Sequence, residues 1–175
     1  MITELRHEIE IDAPTAAVWA LLADTAAYAD WNPFIRRLSG ELEAGERLVV
    51  DIAPPGGRAM TFKPTVLVVR PERELCWLGR LFLPGLFDGE HRFLLEQLTD
   101  GRTRFVQSER FSGILVRPLR KTLDKTLLGF GEMDRALKAE LEVRRSYTPA
   151  TDSTVPLAIE ATGRLNRRPR RCGSL

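Results

Sequence analysis

Residues 2–11 alternate, with Leu5, His7, Ile9 and Ile11 on one face and Glu4, Arg6, Glu8 and Glu10 on the other. That period of two predicts a strand with one face buried. Asp12 and Pro14 interrupt it: Asp12 is placed to cap a helix, proline is tolerated in a first helical turn, and Val18, Leu21 and Leu22 recur at helical spacing through Ala23. Tyr28, Trp31 and the Asn32-Pro33 dipeptide predict a second short helical turn ended by the proline.

From Phe34 the pattern turns to strands. Candidates are 35–42, 47–53, 61–70, 74–81, 90–98 and 103–111, separated by Ala44-Gly45, residues 54–57 (Pro-Pro-Gly-Gly), Arg70-Pro71, Pro84-Gly85 and Asp100-Gly101. Parallel crossovers need a dozen or more residues, so these short connections predict antiparallel neighbours. After Gly113 the period becomes helical: Leu119, Leu123, Leu127, Phe130, Met133, Leu137 and Leu141 step by three or four, while Arg120, Lys121, Asp124, Lys125, Asp134, Arg135 and Lys138 fall largely elsewhere on the wheel. Gly129 and Gly131 mark a place where this helix is free to bend. The order is one strand, two short helices, six strands and a long helix, an α+β domain whose antiparallel sheet covers the helix's apolar stripe.

Beyond Arg145 the composition shifts to Ser, Thr, Pro, Gly and Arg without a sustained period, so the chain divides into a domain, 1–145, and a basic tail, 146–175, expected to be disordered. The tail holds Arg164, Arg167, Arg168, Arg170 and Arg171 against Asp152 and Glu160. Removing it turns the net charge of +2 into −1, which leaves no broad basic face for a phosphate backbone and disfavours nucleic-acid binding. With 43% hydrophobic and 29% charged residues among 175, the chain is long enough to bury a core without disulfides or metal. Cys76 and Cys172 alone make no disulfide framework, no stretch reaches a membrane span, and the opening residues lack a cleavable apolar leader, so a cytoplasmic protein is the expectation.

The hairpin formed by 90–98 and 103–111 carries the candidate chemistry. A two-residue turn at Asp100-Gly101 would set Glu96 against Phe105 and His91 against Arg110. A three-residue loop with Gly101 left-handed instead pairs Glu96 with Arg104 and Glu90 with Arg110 on an outer face, and Phe93 with Gln107 and Leu95 with Phe105 on an inner one. This register brings His91 opposite Glu109 in an apolar interior. Such a pair is either a general acid and base facing an enclosed ligand, or two buried polar groups that satisfy each other. His7, inward by parity, is a candidate third polar group for the same cavity or a satisfied core histidine. The apolar run 81–87, with Phe82, Leu83, Leu86 and Phe87, reads as a lid, as a surface for a membrane or partner, or as a tucked loop. No Gly-rich phosphate loop, GxSxG elbow or HExxH motif is present, and neither a cofactor nor a metal is expected.

The segments Ile9-Glu10-Ile11-Asp12-Ala13-Pro14, Val18-Trp19, Leu22-Ala23-Asp24 and Tyr28-Ala29-Asp30-Trp31-Asn32-Pro33-Phe34 resemble the opening of the polyketide cyclase/dehydrase-like group in the START-like SRPBCC superfamily. The stretch 84–93, Gly101-Arg102-Thr103-Arg104-Phe105, Glu109-Arg110-Phe111-Ser112-Gly113 and residues 133–138 are similar to the same group's later hairpin and long helix. The resemblance spans about 1–145 and implies a helix-grip fold: a curved seven-stranded antiparallel sheet around the long helix, with an apolar cavity between them. It brings no invariant catalytic set, and fold alone does not give function.

The expectation is a protein that encloses a small hydrophobic or amphipathic molecule, lipid-like, aromatic or polyketide-like, against Trp31, Phe93, Phe105, Phe111, Leu123, Leu127 and Phe130. Gln107, His91 and Glu109 orient its polar end. The alternatives are a cyclase, dehydratase or hydrolase with His91 and Glu109 as the acid/base pair, and an interaction module acting through the 81–87 loop and the Arg-rich tail.

Overall fold

The structure, a computed structural model, describes residues 2–81 and 83–147, with side chains through Arg145. Phe82, Cys172 and the tail from residue 148 lie outside the described residues.

Strand β1 (Ile2–Ile11) leads into helix α1 (Thr15–Ala23), a single 3-10 turn (Thr25–Ala27) and the one-turn helix α2 (Tyr28–Trp31). Pro14, not Asp12, stands at the start of α1, and no side chain caps it. Asp12 is used elsewhere: its backbone carbonyl and its carboxylate both hold Arg145, near the far end of the chain's last helix. Asp24 caps the 3-10 turn by accepting from the Ala27 amide.

The remaining strands are β2 (Ile35–Ser39), β3 (Val49–Ile52), β4 (Met60–Phe62), β5 (Thr65–Arg70), β6 (Glu74–Arg80), β7 (Asp88–Gln97) and β8 (Thr103–Ser112), followed by helix α3 (Arg120–Tyr147). Among the described residues, eight strands therefore replace the expected seven. They form two antiparallel sheets, a large one ordered β1-β8-β7-β6-β5 and a small one ordered β2-β3-β4. The expected strand 61–70 divides at Pro64, which has no N–H to give a ladder. Its carbonyl accepts from Leu48 instead, and the Arg47–Thr65 bridge ties the small sheet back to the large one.

The β7–β8 hairpin has the register that its charges select: Glu96 faces Arg104, Glu90 faces Arg110 and His91 faces Glu109. Leu98 and Arg102 close a three-residue loop in which Gly101 takes a φ of 85°. The β1–β8, β7–β8 and β6–β7 ladders all pair odd with odd numbers, so the odd residues of four adjacent strands share the inner face. Helix α3 lays Leu123, Phe130, Met133, Leu137 and Leu141 onto that face, all buried. Each such side chain contributes about 1.5–3 kcal/mol through its removal from water.

Helix α3 runs unbroken past both glycines. Each serves close packing rather than a bend: a Cβ on Gly129 would lie 2.2 Å from the Phe34 ring, and one on Gly131 would lie 3.3 Å from His7 Nε2. No helix among the described residues is long and apolar enough to cross a membrane.

Candidate functional site

Toward one end of the inner face the two sheets part, and a pocket open to solvent lies between them and the first turns of α3. The large sheet contributes Trp77, Gly79, Gly89, His91, Glu109 and Phe111. The small sheet contributes Ile35, Val50, Ile52, Met60 and Phe62. Helix α3 adds Thr122, Leu123 and Thr126, while Arg80, Leu81 and Phe87 stand where β6 and β7 are joined. The walls are mainly apolar and aromatic, with a few converging polar groups, the ordinary make-up of a small-molecule site.

Local sequence explains how these walls are placed. The Asn32 side-chain oxygen Oδ1 accepts from the Phe34 and Ile35 amides at 2.9 and 2.8 Å, a turn that delivers both side chains to the pocket. Gly89 sits opposite Phe111, and a Cβ there would lie 2.6 Å from Glu109 Oε1 and 3.2 Å from the Phe111 ring. A glycine inside a strand is weakening in itself; here its missing side chain is the space that the carboxylate and the ring occupy.

His91 is 4% exposed and held from several sides. Its ring stacks on Trp77 with centroids 4.9 Å apart and planes 6° from parallel, and meets Phe93 and Phe130 edge to face at 4.7 and 5.2 Å. The Gln107 amide nitrogen faces Nε2 at 3.3 Å. Nδ1 in turn faces Glu109 Oε2 at 3.4 Å. This is a long contact, and the carboxylate, its side chain 17% exposed, is the more reachable of the two groups. The arrangement offers a bound molecule a carboxylate acceptor beside an oriented imidazole.

His7 does not join this pocket. It stands opposite Gln107 on β1 and turns to α3, where Nδ1 meets Asp134 Oδ2 at 2.6 Å. Asp134 is fully buried, and burial pushes its carboxyl up to about 6 against the downward pull of His7 and the smaller one of His91. Its second oxygen, Oδ1, has no partner among the described residues, nor does Gln107 Oε1. The helical period had assigned Asp134 to the polar face. Its neighbour comes from a strand 127 positions earlier, which no local pattern reveals.

The other candidate residues divide by height along the sheet. His91, Glu109, Phe111, Leu123 and Phe87 line the pocket. Phe93, Phe105 and Phe130 are fully buried beneath it, where Phe93 packs on Phe105 and on His91 and Phe130 packs on His91, and Gln107 is buried behind His91. Leu127 is half-buried against the core, and Trp31 packs on Tyr28 with centroids 5.2 Å apart. Of the lid candidates, Leu83 is 66% exposed and Leu86 half-buried. Trp77, itself buried, forms pocket wall under His91. The small-sheet wall was not anticipated, since nothing in strand periodicity says that β2 to β4 fold over the large sheet.

Solved structures share this architecture. The Zhui aromatase/cyclase from Streptomyces sp. R1128 superposes with a TM-score of 0.68 at 17% identity, covering 83% of this chain and 96% of that one. A norcoclaurine synthase from Thalictrum flavum matches with a TM-score of 0.65 at 15% identity over 83% and 97% of the two chains. A START superfamily protein from Mycobacterium smegmatis matches at 0.61 and 19% over 81% and 98%. At these identities the likeness is one of fold. A search of curated proteins finds no match. The sequence pattern of one family, described as polyketide cyclase / dehydrase and lipid transport, fits residues 3–142. The chain thus belongs to the polyketide cyclase / dehydrase and lipid transport family, a START-like group with a helix-grip fold.

Proposed function

We propose that the protein binds a small hydrophobic or amphipathic molecule, aromatic, lipid-like or polyketide-like, with its apolar body between the two sheets and its polar end at His91 and Glu109. One observation carries this reading: an apolar pocket whose inner wall holds a carboxylate and an oriented imidazole side by side. Family membership agrees with it. A hydroxyl or amine on the ligand would donate to Glu109, and the aromatic surfaces of Trp77, Phe87 and Phe111 would cover its body. Native mass spectrometry of freshly purified protein, followed by denaturing extraction, tests the reading. The expected result is a bound apolar compound, or saturable uptake of a probe such as 2-naphthol that is lost when Ile52→Trp fills the pocket. Failure of both would count against it.

The same geometry favours a second reading, an enzyme that uses Glu109 and His91 as acid and base on a carbonyl compound. Both groups lie on one pocket wall, as shared work on a ligand atom requires. Deuterium uptake from heavy water into the α-carbon of 1-tetralone would be faster with the native protein than with Glu109→Gln. Equal rates would remove the catalytic reading and leave binding intact.

A further inference from the structure

At the pocket's mouth two loops are fastened into one platform. The amides of Ile114 and Leu115 donate to the carbonyls of Gly85 and Leu86 at 3.3 and 3.0 Å. Gly113, at a φ of 122°, comes so close that any Cβ would lie 2.4 Å from the Leu86 oxygen. Val116 is buried and anchors the platform from below. Its outward side chains are apolar: Leu83 is 66% and Ile114 73% exposed, among the largest exposures of any hydrophobic residue described.

Cations border these tips. Arg117, Arg120 and Lys121 are exposed and make no ion pair or side-chain hydrogen bond with any described residue. Residues 113–122 contain no acidic side chain, and residues 81–87 no charged one. The outer face of the large sheet is built differently, with Arg6, Arg92, Arg102 and Arg104 each paired with a glutamate or aspartate. Unneutralised positive charge around protruding aliphatic side chains complements one kind of surface in particular, a bilayer carrying anionic headgroups above an apolar interior.

We propose that this platform docks on anionic lipid membranes, with Leu83 and Ile114 entering the headgroup region and Arg117, Arg120 and Lys121 meeting the phosphates. Leu81, Phe87 and Leu123 belong to the adjoining pocket, so docking turns the mouth toward the lipid and gives an apolar ligand a route that avoids water. The proposal concerns a surface, and it stands whether the pocket binds or transforms its ligand.

Cosedimentation of the full chain with extruded vesicles tests it. Binding is expected to mixed phosphatidylcholine–phosphatidylglycerol vesicles, to weaken with salt, and to be slight with phosphatidylcholine alone. Leu83→Glu with Ile114→Glu should weaken it at least about tenfold, and each of Arg117→Gln, Arg120→Gln and Lys121→Gln by about fivefold. These side chains face solvent, so 2-naphthol uptake should be unchanged and will report an intact fold. Undiminished binding by the double glutamate variant would overturn the proposal. So would binding that disappears when only the tail arginines, 167, 168, 170 and 171, are changed to glutamine, or an absence of vesicle binding with capture of a protein instead.

Discussion

The two histidines of this chain each face a carboxylate, and the pairs are built differently. His7 and Asp134 join β1 to α3 at 2.6 Å, around a carboxylate with no exposure at all. His91 and Glu109 join β7 to β8 at 3.4 Å, around a carboxylate that opens on a pocket. In the first pair the carboxyl is pushed up to about 6 because burial outweighs the histidine's attraction. In the second the imidazole is clamped by Trp77, Phe93, Phe130 and Gln107, while one side of the carboxylate is left for something else to bind. The same residue types thus serve cohesion in one place and recognition in the other; access, not composition, separates them.

Breaking the buried pair should have the largest effect. His7→Ala strands an ionised carboxylate at pH 8 and is expected to cost about 3 kcal/mol in urea unfolding, with less loss at pH 5, where Asp134 is protonated. Uptake of 2-naphthol by the folded protein should be unchanged. A second effect comes from pH. The folded-state value for Asp134 lies above that of an unfolded aspartate, so the unfolded chain ionises first as pH rises. The contribution of this group to stability therefore falls between about pH 4 and 6 and levels off above, by about 2–3 kcal/mol in all. Asp134→Asn should flatten that part of the profile; an unchanged slope would refute the assignment.

Changes at the pocket pair should move ligand binding more than stability. Gly89→Ala drives a methyl group against Glu109 and Phe111, and is expected to cost about 1–2 kcal/mol of stability and at least about tenfold in 2-naphthol affinity, read by fluorescence titration. Glu109→Gln keeps the shape and should alter stability by less than about 1 kcal/mol, while still weakening the probe about tenfold through loss of the charged acceptor.

How far the sequence reaches is visible in these same residues. The hairpin register was legible because two alternatives place charges differently, and only one sets Glu96 and Glu90 against arginines. Parity likewise identified the inner face of β1, β7 and β8. Parity does not give height, however. Gly89 and His91 line the pocket, whereas Phe93, two residues on along the same face, lies under packed side chains. Pro64 is a visible break within 61–70, but only the hydrogen bonds to residues 45–48 show that the chain there crosses to a second sheet. Asp134 was misplaced although it follows Phe130 by four residues and precedes Leu137 by three, which sets it beside the apolar stripe; its partner, arriving from β1, is what no local pattern shows.

The most direct test of the pocket pair as the ligand's anchor uses the fact that the chain has only two histidines. Imidazole nitrogen signals of uniformly labelled protein, recorded during titration with 2-naphthol, report on both pairs at once. The account predicts that the His91 signals move saturably and that those of His7 stay fixed, with the His91 response lost in Ile52→Trp. Saturable binding that leaves His91 unmoved, or moves His7 alone, would contradict it.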